Sequence, residues 1–190
     1  MQRYILTGAP GSGKTTLMKA LADMGYSCAK EAATDVIAEQ QQLGFKEPWE
    51  SKDFIDKIIS LQKERLLNNS KINSLAKNNI QFYDRSPICT WALAQYLGYP
   101  FSSHLIDEIA RIIRDSIYHK QVFFIENLGF IEHTSARTIN LEEALKFQKL
   151  HYTVYKQFGY ECITIPAENI ITRTNFILNH INLHNDIFSN

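Results

Sequence analysis

Gly8-Ala9-Pro10-Gly11-Ser12-Gly13-Lys14-Thr15 follows the short apolar run Tyr4-Ile5-Leu6-Thr7. The stretch matches G-x-x-x-x-G-K-T, the pattern of a phosphate-binding loop between a strand and a helix. Glycines at 8, 11 and 13 let the backbone bring successive N–H groups against phosphate oxygens. The helix expected from about Gly13 to Met24 points its positive end at the same anion. Lys14 supplies a mobile charge for the β and γ phosphates, and Thr15 supplies a hydroxyl for Mg²⁺. Residues Gly8 through Thr15, with Thr16 behind them, are therefore the expected nucleotide-binding set. A nucleoside triphosphate is the expected ligand.

Working outward from this loop, chain length allows a full sheet covered on both faces. The 190 residues are 45% apolar and 21% charged, with 20 basic and 20 acidic side chains in balance. A neutral chain without a Lys/Arg run offers no electrostatic case for a nucleic-acid partner. No apolar run approaches a membrane span. A strand beginning at residue 3 or 4 leaves no room for a signal peptide. Three widely spaced cysteines do not form a disulfide framework, and Cys28 and Cys162 read as small core residues of a reducing compartment. A cytoplasmic enzyme is expected.

Strands are expected at 3–7, 26–29, 80–83, 121–125 and 160–165. The run Gln121-Val-Phe-Phe-Ile125 reads as a centrally buried parallel strand. Helical stripes separate the strands. The helix after Gly13 carries Leu17, Leu21 and Met24, and one runs from Thr34 to Leu43. Ser51 is the expected N-cap of a long helix that breaks at Asn68-Asn69-Ser70. Pro87 opens a helix to Leu97, and Ser103 caps the next. Asn140-Leu-Glu-Glu143 resembles a capping box opening a helix to Phe158. A last helix spans about Asn169 to Ile181, with a polar tail fraying from Asn182. Strands alternating with helices predict an α/β fold: a doubly wound, five-stranded parallel sheet in one domain. Residues 128–140 read as a lid-like segment.

Ligands of such sheets sit at the carboxyl ends of the strands. Asp84 ends a hydrophobic strand, where a carboxylate helps hold Mg²⁺; its alternative is a helix N-cap ahead of Pro87. Arg85 offers a fork of donors to a phosphate or substrate oxygen, or else a surface ion pair with Asp84. Glu31 reads as a group that accepts a proton from an acceptor hydroxyl, or as a solvated glutamate at a helix start. Arg137 reads as a cation closing on the phosphates, or as an exposed loop charge. Trp49 reads as an aromatic wall for an acceptor or as a core-edge tryptophan. Glu126, after strand four, is an alternative acid for hydrolysis. Pro166-Ala167 is the expected seat of adenine. The base-reading Asn-Lys-x-Asp of regulatory GTPases and the Leu-Ser-Gly-Gly-Gln of transporter ATPases are absent. His180 and His184, four apart on a helix, lack a third ligand and read as a polar terminus rather than a zinc site.

With these residues in place, the chain resembles a family of small P-loop proteins called AAA-domain ATPases. That family is grouped with the ribosylnicotinamide-kinase domain of NadR and with TRPL-translocation-defect proteins. The likeness rests on Arg3–Thr15, Lys30-Glu-Ala-Ala33, Glu47-Pro-Trp49, Phe82-Tyr-Asp-Arg85, Arg137-Thr138, Glu143-Ala144 and Gly159-Tyr160. More distantly, Glu31 with Asp84-Arg85-Ser86 looks like the deoxynucleoside and thymidylate kinase arrangement. There an acid after strand two is base or anchor, the acidic-Arg pair serves Mg²⁺ and the acceptor, and lid arginines close on the phosphates. Two departures stand out: Thr34 occupies a place where the family often has arginine, and His133–Arg137 carries one arginine where many kinases have more. The resemblance implies Mg-ATP-dependent transfer to a nucleoside, nucleotide or related small acceptor. Two alternatives remain: a slow NTPase that acts as a nucleotide-dependent switch for a protein or lipid, and a kinase with a macromolecular acceptor.

Overall fold

A computed structural model describes residues 1–72, 79–127 and 141–187. Strand β1 (Gln2–Gly8) lies at the centre of a five-stranded sheet. It is flanked by β3 (Ile80–Asp84) and β4 (Gln121–Ile125), with β2 (Ser27–Ala29) and β5 (Glu161–Ile165) at the edges. Every pairing is parallel, so all carboxyl ends share one rim of the sheet. The register pairs Leu6 with Asp84 and Gly8 with Ile125, which sets the phosphate loop beside the ends of both neighbouring strands. β3 and β4 are buried along their whole length, as expected of parallel strands covered on both faces.

Helices α1 (Lys14–Asp23) and α7 (Ile170–Ile187) cover one face. There Leu17, Leu21, Ile177 and Ile181 pack on Tyr4, Leu6, Phe82, Phe123 and Ile165. The other face carries α2 (Ala32–Gln42), α3 (Phe54–Ile72), α4 (Pro87–Leu97), α5 (Ser103–Arg114) and α6 (Leu141–Gln157). Phe54, Ile58, Ile59, Ile88, Ile109, Ile112 and Val154 are buried there against Ile5, Tyr83 and Val122. No helix among the described residues is long and apolar enough to cross a membrane.

The expected doubly wound sheet is present, and the differences are local. α3 runs without a break through Asn68-Asn69-Ser70, because burial of Leu66 against the sheet outweighs the weak helix propensity of that triplet. α2 starts at Ala32, two residues early, with Glu31 itself at its N-cap position. Ser102, not Ser103, caps α5: its Oγ accepts from the Leu105 N–H at 3.1 Å. Ser51 does not cap α3; its hydroxyl donates to Asp53 instead. α7 continues past Ile181 to Ile187. β4 is an interior, fully buried parallel strand, as expected, beside the central β1. Met24, at the end of α1, is exposed. Cys28 and Cys162 are only half-buried, and Cys89 is the buried cysteine. The capping box at Asn140 and the lid-like segment with Arg137 lie outside the described residues.

Candidate active site

The phosphate loop needs glycine at its entrance for a steric reason. Gly8 has φ 137°, and a Cβ there would lie 2.3 Å from the Ile125 carbonyl oxygen of the neighbouring strand. Beyond it the Ser12 N–H donates to the Ala9 carbonyl at 3.3 Å, and Gly13, at φ 83°, turns the chain into α1. The Lys14 ammonium folds back over the loop, donating to Ala9 O at 2.7 Å, Gly8 O at 3.3 Å and Ser12 Oγ at 3.3 Å. Burial, together with the Arg85 charge, lowers its pKa to about 8. Thr15 and Thr16 are exposed on the first turn of α1.

Sheet order brings the remaining groups together. β3 lies between β2 and β1, so Glu31, Asp84-Arg85 and the phosphate loop stand at three adjacent strand ends. Asp84 is 7% exposed, and its Oδ1 has no hydrogen-bond partner among the described residues. No ion pair joins it to Lys14 there. Burial pushes its carboxyl up to about 6, with Lys14 and Arg85 pulling the other way. The N-cap reading of Asp84 does not hold, because Ser86 caps α4 through Oγ accepting from the Ile88 N–H at 3.2 Å.

Arg85 is not a surface group paired with Asp84. Its Nε donates to Glu31 Oε1 at 2.5 Å, and Nη1 lies 3.3 Å from His151 Nε2. Its backbone takes φ 69°, a left-handed conformation that costs a non-glycine residue about 1 kcal/mol. The Arg85 N–H donates to Leu6 O at 3.0 Å, which extends the β1–β3 ladder by one step and holds this conformation. Glu31 also accepts from Thr34 Oγ1 at 2.9 Å through its other oxygen. Burial alone would raise the Glu31 carboxyl; Arg85, Lys14 and Thr34 together outweigh it and hold it below the ordinary range. Arg65 of α3 pins the same loop, donating to Lys30 O at 2.8 Å and pairing with Asp35.

Two residues were missed by sequence reasoning. Arg173 of α7 is 3% exposed and donates to three backbone carbonyls, Pro166 O, Ser12 O and Glu126 O, each at 2.8 Å. It thereby ties the ends of β4 and β5 to the phosphate loop. His151 of α6 is buried beside Arg85. Both sit on apolar helical stripes, Arg173 with Ile177 and Ile181, His151 with Ala144, Phe147 and Val154; a polar residue in such a stripe was the available signal. Trp49 packs against the larger core, the core-edge alternative. The Glu126 backbone is held by Arg173 and by its N–H to Ile165 O at 3.0 Å. A separate concavity of about 390 Å³ between α2 and α3, lined by Glu39, Asp53, Asp56, Glu64 and Lys57, contains none of these groups.

A buried charge constellation behind a phosphate loop, at the carboxyl rim of a parallel sheet, is suited to holding and polarising a polyphosphate. A family model described as an AAA domain matches residues 3–173. The chain belongs to that family. The AAA-domain protein is similar in fold to deoxyadenosine kinase from M. mycoides with bound dATP, at 16% identity and TM-score 0.59, covering 95% of this chain and 100% of that one. It is similar to thymidylate kinase from Ehrlichia chaffeensis at 19% identity and TM-score 0.58, covering 95% and 98%. Against NadR in complex with NAD and AMP-PNP the figures are 18% and 0.64, covering 93% of this chain and 47% of NadR, so the AAA-domain protein spans about half that length. At these identities the likeness is one of fold. No curated protein matches the sequence.

Proposed function

We propose that this protein is a P-loop phosphotransferase that moves the γ-phosphoryl group of Mg-ATP to a small acceptor: a nucleoside, nucleotide or related metabolite. It acts as one cytoplasmic domain. The observation that carries the reading is the Glu31–Arg85 pair standing beside Lys14 and Asp84 at three adjacent strand ends. A hydrolase needs only the phosphate loop and a water-orienting group. A partly buried acid and arginine at the neighbouring strand ends supply a second place, where an acceptor hydroxyl can be held facing the γ-phosphate.

In this reading residues 8–15 cradle the phosphates, and Lys14 exchanges its loop carbonyls for phosphate oxygens. Arg85 has five N–H donors and uses two on Glu31 and His151, so three point to no partner among the described residues. Those donors receive the phosphoryl oxygens or the acceptor. Glu31 orients the acceptor hydroxyl by accepting its hydrogen bond. Its lowered proton affinity favours orientation over early proton removal, which suits a loose phosphoryl transition state. As the acceptor oxygen bonds to phosphorus, the bond to the β–γ bridging oxygen breaks, ADP leaves, and the hydroxyl proton passes late in the step to Glu31 and from there to solvent. Mg²⁺ fits the residues present: Asp84 offers a buried carboxylate oxygen without a partner among the described residues and Thr15 an exposed hydroxyl, and the ion when bound neutralises phosphate charge. Adenine lies against Pro166-Ala167, and Arg137 completes the phosphate site.

ADP release from Mg-ATP, measured alone and with nucleosides, deoxynucleosides, monophosphates and nicotinamide riboside, tests this reading. Acceleration by one acceptor, lost in Lys14→Ala and Asp84→Ala, is the expected result. A slow basal rate unmoved by every small acceptor would overturn it. That outcome would favour a nucleotide-dependent switch or a macromolecular acceptor, a reading helped by one observation: both Glu31 oxygens are already engaged, by Arg85 and Thr34.

A further inference from the structure

We propose that His151 is a positioning residue for Arg85: a neutral imidazole acceptor that fixes the guanidinium without cancelling its charge. The inference rests on the phosphotransferase reading for its kinetic consequence, but the interaction itself stands on geometry.

The hydrogen-bond roles follow from the partners. His151 Nδ1 lies 2.8 Å from the Phe147 carbonyl oxygen, which can only accept, so Nδ1 carries the proton. Nε2 then presents its lone pair, and 3.3 Å away stands Arg85 Nη1, which can only donate. One proton placement satisfies both ends. The ring is 1% exposed and packs edge-on against Phe147, centroids 4.2 Å apart, so its plane is fixed by packing as well as by hydrogen bonds. The charged groups facing it are Arg85, Lys14 and Glu31; burial and the two cations lower its pKa to about 3, so the ring stays neutral.

A second contact of the same helix braces the same junction. One turn along α6, Tyr155 OH lies 2.8 Å from Ser86 Oγ, the cap of α4, and 3.0 Å from Cys89 Sγ. α6 therefore holds the β3–α4 turn at two points, the Arg85 guanidinium through His151 and the α4 cap Ser86 through Tyr155. Glu31 holds one edge of the guanidinium and neutralises part of its charge. A second carboxylate in place of His151 would neutralise the rest, leaving little field for a phosphate. An imidazole lone pair takes one N–H, sets the plane of the fork and leaves the positive charge in place.

Nitrogen NMR of the labelled wild-type protein tests the interaction directly. Expected are an Nδ1–H tautomer for His151 that stays neutral down to about pH 5, and Arg85 Nη signals that rotate slowly and sharpen together with it. An Nε2–H tautomer, or a His151 titration near the ordinary histidine value, overturns the proposal. Kinetically, His151→Phe keeps the ring packing and removes the lone pair. It is expected to lower kcat about tenfold while the KM for ATP stays within about twofold. His151→Gln, whose amide oxygen still accepts, should recover most of the loss. His151→Phe turning over at the wild-type rate overturns the proposal. If neither variant folds, the wild-type spectrum decides. If wild-type protein transfers phosphate to no acceptor, the phosphotransferase reading fails, while the tautomer and the Arg85 signals still decide whether His151 holds Arg85.

Discussion

Arg85 and Glu31, 54 positions apart in sequence, meet at 2.5 Å between the ends of β3 and β2. The pair sits where a charge is costly: the arginine side chain is 10% exposed and the glutamate 25%. Partly buried pairs of this kind add little net stability when intact, but breaking one leaves an expensive unpaired charge. The pair is therefore better understood as an orienting device, held in register by Thr34 on one side and His151 on the other.

Removing the carboxylate should expose that cost. Glu31→Gln is expected to destabilise the protein by about 2 kcal/mol and lower acceptor-dependent turnover at least about tenfold. ATP affinity should change little, since among the described residues Glu31 hydrogen-bonds to Arg85 and Thr34 and not to the phosphate loop. Thermal denaturation and kinetics read the two effects separately. Unchanged turnover with unchanged stability would mean that the pair has neither role.

Lys14 spends its ammonium on loop carbonyls that a polyphosphate would replace. Lys14→Ala should fold normally, because removing a desolvated charge offsets the lost hydrogen bonds. Its Mg-ATP turnover should fall about 10²–10³-fold, the size seen when one preorganised donor to developing charge is lost. Turnover at the wild-type rate would separate the loop from the chemistry.

Asp84 predicts an unusual pH dependence. Its folded pKa of about 6 lies above the ordinary 3.8 because burial penalises the carboxylate. Between these values the folded state holds a proton that the unfolded state has lost. Its contribution is thus fully present below about pH 4 and is lost as pH rises through 6. Asp84→Asn, which mimics the protonated form, should match the wild-type melting temperature near pH 4. At pH 7 it should exceed the wild type by an amount on the order of 2 kcal/mol, while losing Mg-ATP turnover. Comparing the two melting curves across pH isolates this group from other carboxylates. A constant difference between them would refute it.

Arg173 satisfies three carbonyls from three loops with one planar group. Arg173→Ala removes the donor from Ser12 O and Glu126 O, while Pro166 O keeps the Glu168 N–H, and should cost about 3 kcal/mol. Arg173→Lys should recover little, since one ammonium cannot span the same fork. Because Ser12 O belongs to the phosphate loop, ATP binding measured by calorimetry should weaken in both variants. Unaltered affinity in a folded variant would confine Arg173 to a structural role.

At Gly8 the constraint is steric and conformational together. Gly8→Ala places a methyl 2.3 Å from Ile125 O and forces φ 137° on an L residue, so the β1–β4 ladder must open. A loss of at least about 2 kcal/mol by denaturant titration is expected, along with loss of nucleotide binding.

Much of this was legible along the chain. The phosphate loop, the five strands and the placement of Glu31, Asp84 and Arg85 at strand ends follow from local chemistry: glycine spacing, apolar runs of strand length and turns that stop helices. Boundaries failed where burial overrode propensity, as at Asn68-Asn69-Ser70 within α3. Pairings failed for a different reason. Arg85 had a sequence neighbour of opposite charge in Asp84, yet the backbone at φ 69° turns its side chain toward Glu31 and His151.

Sequence alone determined that a phosphate loop lies at the rim of a parallel sheet, since those features are written within a few consecutive residues. Only the tertiary structure decided which side chains hold one another there. His151 lies 66 positions from Arg85, and Arg173 lies 161 from Ser12. Neither contact leaves a local trace beyond a polar residue in an apolar stripe. Strand order creates them: with β3 inserted between β2 and β1, and with α6 and α7 on opposite faces, distant segments of the chain converge on one rim.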